Sequence, residues 1–179
     1  RVFPAVHYSM GGIYIDQHQA TNITGLFAAG ECEYQYHGAN RLGANSLLSC
    51  IFGGARASDT VKSYLDSLNG KLPEIPTHAI EYAVRSETER NKQLFNSTGN
   101  ENVLKLWEEL GDIMRKNVTI VRYNDRLKQT DQKVLEFMER FSKINLGDQT
   151  PWVNQPMIFT RQLWNMLVLS RAIIRGALL

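Results

Sequence analysis

Apolar residues recur at helical spacing through most of this chain, and they divide it into two unlike parts. From residue 78 onward, four segments carry the pattern. His78 to Phe95 places Ile80, Val84 and Leu94 on one face among many charges. Glu101 to Val118 sets Val103, Leu104, Trp107, Leu110, Ile113 and Met114 in an i, i+3, i+4 stripe. Asp125 to Ile144 repeats the pattern with Leu127, Val134, Leu135, Phe137, Met138 and Phe141. A last helix is predicted to begin at Pro156 and to carry Phe159, Leu163, Met166, Leu167, Ser170, Ile173 and Ile174. Gly147 and Pro151 mark the break before it. Stripes of this kind are core far more often than cofactor contacts, and an antiparallel helical bundle is the natural way to bury them.

The first part of the chain reads differently. GGIYID alternates apolar and polar positions and predicts a short strand, followed by a turn-rich stretch around Asp16 to Thr24. Gly25 to Ala29 (GLFAA) is a small apolar run ending at Gly30, which predicts a buried strand. Helical spacing returns at Asn45, with Leu47, Leu48, Ile51, Ala55, Val61, Leu65 and Leu68. Gly53 and Gly54 interrupt this helix at a cost of about 1 kcal/mol each relative to alanine. They point to a close approach of backbone to another element or to a ligand, or to a tolerated packing site. The predicted fold class is α+β, mainly α: part of an α/β domain followed by a helical bundle.

Composition sharpens the division. Across 179 residues, 20 Lys and Arg stand against 18 Asp and Glu, and 43% of positions are hydrophobic. Those values suit a globular chain and not a disordered tail. The near-neutral balance argues against a nucleic-acid partner, which calls for a basic stripe. Residues 1–70 hold nine of the 13 glycines, three of the four histidines and both cysteines; residues 71–179 hold 16 basic and 13 acidic residues. LNGKLPEIPTH joins the two parts as a linker. Cys32 and Cys50 form no disulfide framework and no metal-type pair, which makes a reducing cytosolic side the default and a metal site unexpected. No signal peptide is recognisable. The longest apolar stretch, Leu163 to Leu179, is interrupted by Arg171 and Arg175, so no direct membrane span is predicted. The chain begins with Arg and stops at GALL inside a running helix, so a piece of a longer protein is expected.

Three clusters could carry chemistry. His7-Tyr8-Ser9-Met10-Gly11-Gly12 puts a histidine before a double glycine, where a backbone can approach a ligand closely. A lone histidine beside a strand is more often a structural residue. Gly25 to Glu31 is a small apolar strand ending in Gly and a carboxylate. That geometry can hold ribose or ribityl hydroxyls, or can be an ordinary strand end with a solvated Glu. His37-Gly38-Ala39-Asn40-Arg41-Leu42-Gly43-Ala44-Asn45-Ser46-Leu47 gathers His, two Asn, Arg and Ser around two glycines and opens into a helix. Backbone N–H groups at a helix start favour an anionic or carbonyl-rich ligand, and the planar fork of Arg41 suits a carboxylate.

HYSMGG, GLFAAGE and HGANRLGANSLL, in this order and spacing, resemble the flavoprotein subunit of succinate dehydrogenase and fumarate reductase. The helical remainder, including KNVTIVRYNDRLKQT and LSRAIIRGALL, resembles the carboxy-terminal region of the Bacillus-type succinate dehydrogenase flavoprotein, so the resemblance covers essentially the whole chain. It implies residues 1–70 as a carboxy-terminal slice of an FAD-binding domain and residues 71–179 as a helical carboxy-terminal domain, truncated at its end. It implies an FAD enzyme that oxidises succinate to fumarate and passes electrons through an iron–sulfur subunit to quinone. Such a protein would be peripheral, on the cytoplasmic face of the cell membrane, held by a membrane anchor. By motif position, His7 and Arg41 would hold the substrate carboxylates. Glu31 would bind FAD hydroxyls, Ser46 and Leu47 would contact the flavin ring, and Asn40 with His37 would complete the loop.

The family's dinucleotide fingerprint, its flavin-linked histidine and its proton-transferring arginine have no counterpart in this sequence. No catalytic residue is therefore expected here, and the chain alone is expected to be inactive with doubtful FAD binding. L-aspartate oxidase shares HYxMGG and HGANRL and is the neighbouring alternative; there NSLL is commonly followed by Glu, whereas here Ser49 follows. A second alternative makes residues 71–179 a helical subunit-interaction module.

Overall fold

A computed structural model describes residues 7–71 and 74–178. Its contacts gather into two compact units, Arg1–Glu74 and Ile75–Leu179. Five helices dominate: α1 (Asn45–Ser67), α2 (Thr77–Phe95), α3 (Val103–Asn117), α4 (Asn124–Phe141) and α5 (Gln155–Leu178). The mainly helical architecture agrees with the sequence reading.

In the second unit α3, α4 and α5 pack on one another. Leu106 and Leu110 of α3, Leu127, Val134 and Phe137 of α4, and Leu163, Leu167 and Ile174 of α5 are fully enclosed. Burying side chains of this size contributes roughly 1.5–3 kcal/mol each. Three small polar side chains share the interior, and Thr130 and Thr160 satisfy themselves by donating to the carbonyls of Arg126 and Pro156. The Asn102 side chain caps α3 by accepting from Leu104 and Lys105, and buried Asn154 caps α5 by accepting from the Met157 N–H. Pro156 is tolerated because it sits in the first turn, where its missing N–H costs nothing.

Charged clamps tie the helices together. Arg140 of α4 reaches both Glu101 and Glu109, and Arg171 of α5 pairs with Asp131. Hydrogen bonding to these guanidiniums holds all three carboxyls below the ordinary range. Glu101 and Ile144 form a parallel bridge through Glu101 N–H to Lys143 and Asn145 N–H to Glu101. Gly99 lies against that bridge: a Cβ there would fall 1.8 Å from the Lys143 carbonyl oxygen.

Two predicted stripes sit differently from expectation. On α2 only Leu94 is buried, while Ile80 and Val84 are more than half exposed, because the helix meets the core through Leu94 and Phe95 at its carboxy-terminal end. On α3 the enclosed line is Val103, Leu106 and Leu110, and Leu104 is exposed, so the buried face is turned slightly from the predicted one.

In the first unit α1 packs on a single 3-10 turn at Gly30–Cys32. Its buried residues are Ser49 and Gly53; the apolar Leu47, Leu48 and Ile51 face outward. This reverses the amphipathic reading of α1. Small residues hold the inner face because a Cβ on Gly53 would already be in van der Waals contact with Gln19 Oε1 and the Gly30 nitrogen at 3.4 Å and the Ala29 Cβ at 3.5 Å, which leaves no room for a long side chain beyond it. Gly53 thus sits at a packing contact that a methyl group would also fit.

The expected strands are reduced to isolated bridges, Ile13 with Glu33 and Ala20 with Phe27. Gly25 and Gly30 both adopt positive φ, at 81° and 80°, and leave only four residues between them for extension. Gly12 has no room for a side chain, since a Cβ would sit 2.3 Å from the Cys32 carbonyl oxygen. Its close neighbour is therefore protein backbone. No helix among the described residues is long and apolar enough to cross a membrane.

Candidate functional site

Three segments of the first unit converge around the start of α1. The 3-10 turn presents Glu31, whose carboxylate accepts the Ser9 N–H at 2.8 Å and so ties the HYSMGG segment to the GLFAAGE segment. The remaining carboxylate surface is exposed. Glu33, two residues on, turns inward and accepts the Gln35 N–H at 2.6 Å. Tyr36 donates toward no carboxylate but receives the Gln19 amide; burial, then the nearby Glu33 charge, pushes its hydroxyl pKa up.

Tyr8 is the centre of the arrangement. Its hydroxyl lies 3.1 Å from His37 Nε2 and 3.3 Å from Ser49 Oγ, and those two atoms are 3.1 Å apart. The Tyr8 backbone has φ of 72°, a left-handed conformation that a bulky residue adopts only when its surroundings enforce it. The Arg41 guanidinium lies over the Tyr8 ring, 5.1 Å from its centroid, close enough for a cation–π interaction. Arg41 donates through Nη1 to the Leu42 carbonyl at 3.3 Å, and its Nε is enclosed without a partner among the described residues.

Helix α1 begins four residues after this arginine, at Asn45. Ala44 precedes it at φ of 66°, with no side-chain cap, so the first-turn N–H groups carry the positive end of the helix dipole uncompensated by a side chain. Ser46 is partly buried in that turn and its carbonyl accepts the Ser49 hydroxyl at 2.9 Å. Leu47 and Asn40 are exposed. His7, next to Tyr8, is exposed too. The segments carrying His7, Glu31, Arg41 and Ser46 are thus linked within one unit by Ser9–Glu31 and Tyr8–Arg41 contacts.

Reading from sequence left Tyr8 and Ser49 without roles. Ser49 was detectable in principle, since it lies one helical turn from Ser46 on the same face of α1. Tyr8 carried no such signal: its link to His37 spans 29 positions and exists only after folding.

Comparison with known proteins places these features in context. Residues 1–47 match the family described as FAD binding domain, and residues 107–179 match the family described as fumarate reductase flavoprotein C-term. The succinate dehydrogenase flavoprotein subunit of Bacillus subtilis is 50% identical over 177 residues, 99% of this chain and 30% of its own length. An L-aspartate oxidase of Acinetobacter baylyi is 32% identical over 99% of this chain and 29% of its own length. Among solved structures, a variant of E. coli quinol fumarate reductase superposes with a TM-score of 0.82 at 33% identity, covering 96% of this chain and 29% of that one. The chain thus spans about 30% of the length of the relatives it matches.

Proposed function

We propose that this chain, a member of the succinate dehydrogenase and fumarate reductase flavoprotein family, supplies the substrate-holding loop and part of the flavin contact of an FAD enzyme that oxidises succinate to fumarate. In this reading residues 1–70 are a slice of the FAD-binding domain and residues 71–179 the helical carboxy-terminal domain. The observation that carries it is Arg41, stacked on Tyr8 with an enclosed Nε unpartnered among the described residues, four residues before an uncapped helix start.

The donor set fits the ligands. A dicarboxylate needs cationic or donor groups at both ends, and Arg41 and exposed His7 provide them. The uncapped first turn of α1, with Ser46 and Leu47, offers N–H groups to electron-rich atoms of a flavin. The free face of Glu31 offers acceptors to FAD hydroxyls, and exposed Asn40 adds a donor and an acceptor to the loop. FAD, when bound, supplies the two-electron acceptor. This chain's own residues hold and orient the dicarboxylate, and none of them is assigned the proton transfer. By itself the chain is inactive. In the complete protein, electrons pass to an iron–sulfur subunit and then to quinone, and the flavoprotein sits peripherally on the cytoplasmic face of the membrane through its partners.

The test is turnover of succinate by the complete flavoprotein with an artificial electron acceptor, with L-aspartate as the competing substrate. Succinate turnover that falls at least 100-fold in Arg41→Ala is expected, on the order of the loss of a charge-assisted bidentate contact. Oxidation of L-aspartate in place of succinate would instead favour the aspartate oxidase reading, which the similarity to the Acinetobacter enzyme keeps in play.

A further inference from the structure

Arg41 has few partners of its own. One long hydrogen bond to Leu42 and the face of Tyr8 are its only polar or π contacts among the described residues, and Nε has none. The orientation of the guanidinium therefore depends on what fixes the Tyr8 ring. That ring is held at its far end, where its hydroxyl meets His37 and Ser49, and the imidazole stands edge-on to it at 5.1 Å and 81°.

The triangle is tied to backbone through Ser49, which is buried and donates its hydroxyl hydrogen to the Ser46 carbonyl. The Ser49 oxygen is then left to accept within the triangle, and the Tyr8 hydroxyl donates to it or to His37 Nε2 according to the imidazole tautomer. The strained φ of Tyr8 is consistent with a side chain held from outside its own segment.

We propose that Tyr8, His37 and Ser49 are positioning residues for Arg41: they fix the Tyr8 ring as a platform that aims the guanidinium at a ligand carboxylate. The proposal rests on the reading of Arg41 as a carboxylate-holding residue. A ring that merely packs the loop would alter folding or FAD content. A platform for Arg41 alters substrate affinity first, because lost uniform binding raises KM without lowering kcat.

The experiment compares Tyr8→Leu, Tyr8→Phe and Ser49→Ala in the complete flavoprotein. Tyr8→Leu is expected to raise KM for succinate about tenfold with kcat within about twofold and FAD content unchanged. Tyr8→Phe keeps the π face but loses the anchor, and Ser49→Ala loosens the same anchor. Each is expected to raise KM about threefold, so phenylalanine rescues most of the leucine defect. A second readout needs no turnover: solvent exchange of the Arg41 Nε–H, followed by NMR with nitrogen-15 arginine and assigned by Arg41→Lys. It is expected to quicken at least tenfold in Tyr8→Leu and measurably in the other two. Unchanged KM and unchanged exchange in Tyr8→Phe and Ser49→Ala would overturn the proposal even if the leucine variant failed to fold. Unchanged exchange in a folded Tyr8→Leu protein would overturn it as well. Absence of succinate turnover in the unsubstituted protein would overturn the functional reading alone, and the exchange measurement would still decide the platform.

Discussion

Replacing Arg140 by glutamine removes the most heavily bonded charge in the helical unit. Its Nε and Nη2 reach the two Glu101 oxygens at 2.8 and 2.9 Å, and Nη1 reaches Glu109 at 2.5 Å. The guanidinium also lies 5.5 Å from the Phe137 ring centroid. The side chains of Arg140, Glu101 and Glu109 are 27%, 20% and 33% exposed, so water screens them only in part. An exposed pair contributes about 0–1 kcal/mol, and breaking a buried one costs about 3–5 kcal/mol. A triad between those limits should cost about 2 kcal/mol when its centre is removed, or about 10 °C in Tm.

The pH dependence follows from the same geometry. Hydrogen bonding to Arg140 holds the carboxyls of Glu101 and Glu109 below their ordinary value. Their contribution is therefore present above the unfolded value, about 4.3 for Glu, and is lost as pH falls through the lower folded values. The stability gap between the native chain and Arg140→Gln should be widest near pH 7 and should shrink below about pH 4. All three tryptophans, Trp107, Trp152 and Trp164, lie in the second unit, so urea unfolding followed by tryptophan fluorescence reports on it selectively. A gap under about 0.5 kcal/mol at pH 7, or one that stays constant down to pH 3, would refute the reasoning.

Two substitutions probe the packing of the same unit. Gly99→Ala would drive a methyl group into the Lys143 carbonyl at 1.8 Å, where only backbone can yield; a loss of at least about 2 kcal/mol by urea unfolding is expected, and a neutral result would show that the 97–101 segment shifts freely. Asn154→Ala removes both the cap on Met157 and two amide bonds to the Asp148 and Thr150 carbonyls, and should cost about 2 kcal/mol by urea unfolding; a loss under about 0.5 kcal/mol would count against the cap.

How much of this was legible before folding depends on the range of the forces involved. Helix existence was, because the 3.6-residue period is a local property: α1 was expected from Asn45 and α4 from Asp125, and both begin within one residue of those positions. Which face each helix buries was legible only where large side chains meet a large core. Leu127, Val134 and Phe137 obeyed the pattern. On α1 the pattern failed, since the depth of contact with Ala29 and Gly30 selected glycine and serine over leucine. The strand expected at Gly25 to Ala29 is cut short for a related reason: its small apolar run marked it, but positive φ at Gly25 and Gly30 bounds it on both sides, and the alternating GGIYID segment likewise forms only the isolated Ile13–Glu33 bridge.

The site divides along the same line. Sequence alone determined the inventory: an arginine whose planar fork suits a carboxylate, a carboxylate after a small apolar run, and polar residues opening a helix, in an order specific enough to carry the resemblance. Residue type and spacing suffice there, because they set charge, donor count and helix start. Only the tertiary structure decided that Tyr8 lies beneath Arg41, that His37 and Ser49 hold Tyr8, and that Glu31 is tied to Ser9. Those contacts join positions 22 to 41 residues apart. No local preference encodes them; they exist because closing the fold around α1 removes the alternatives.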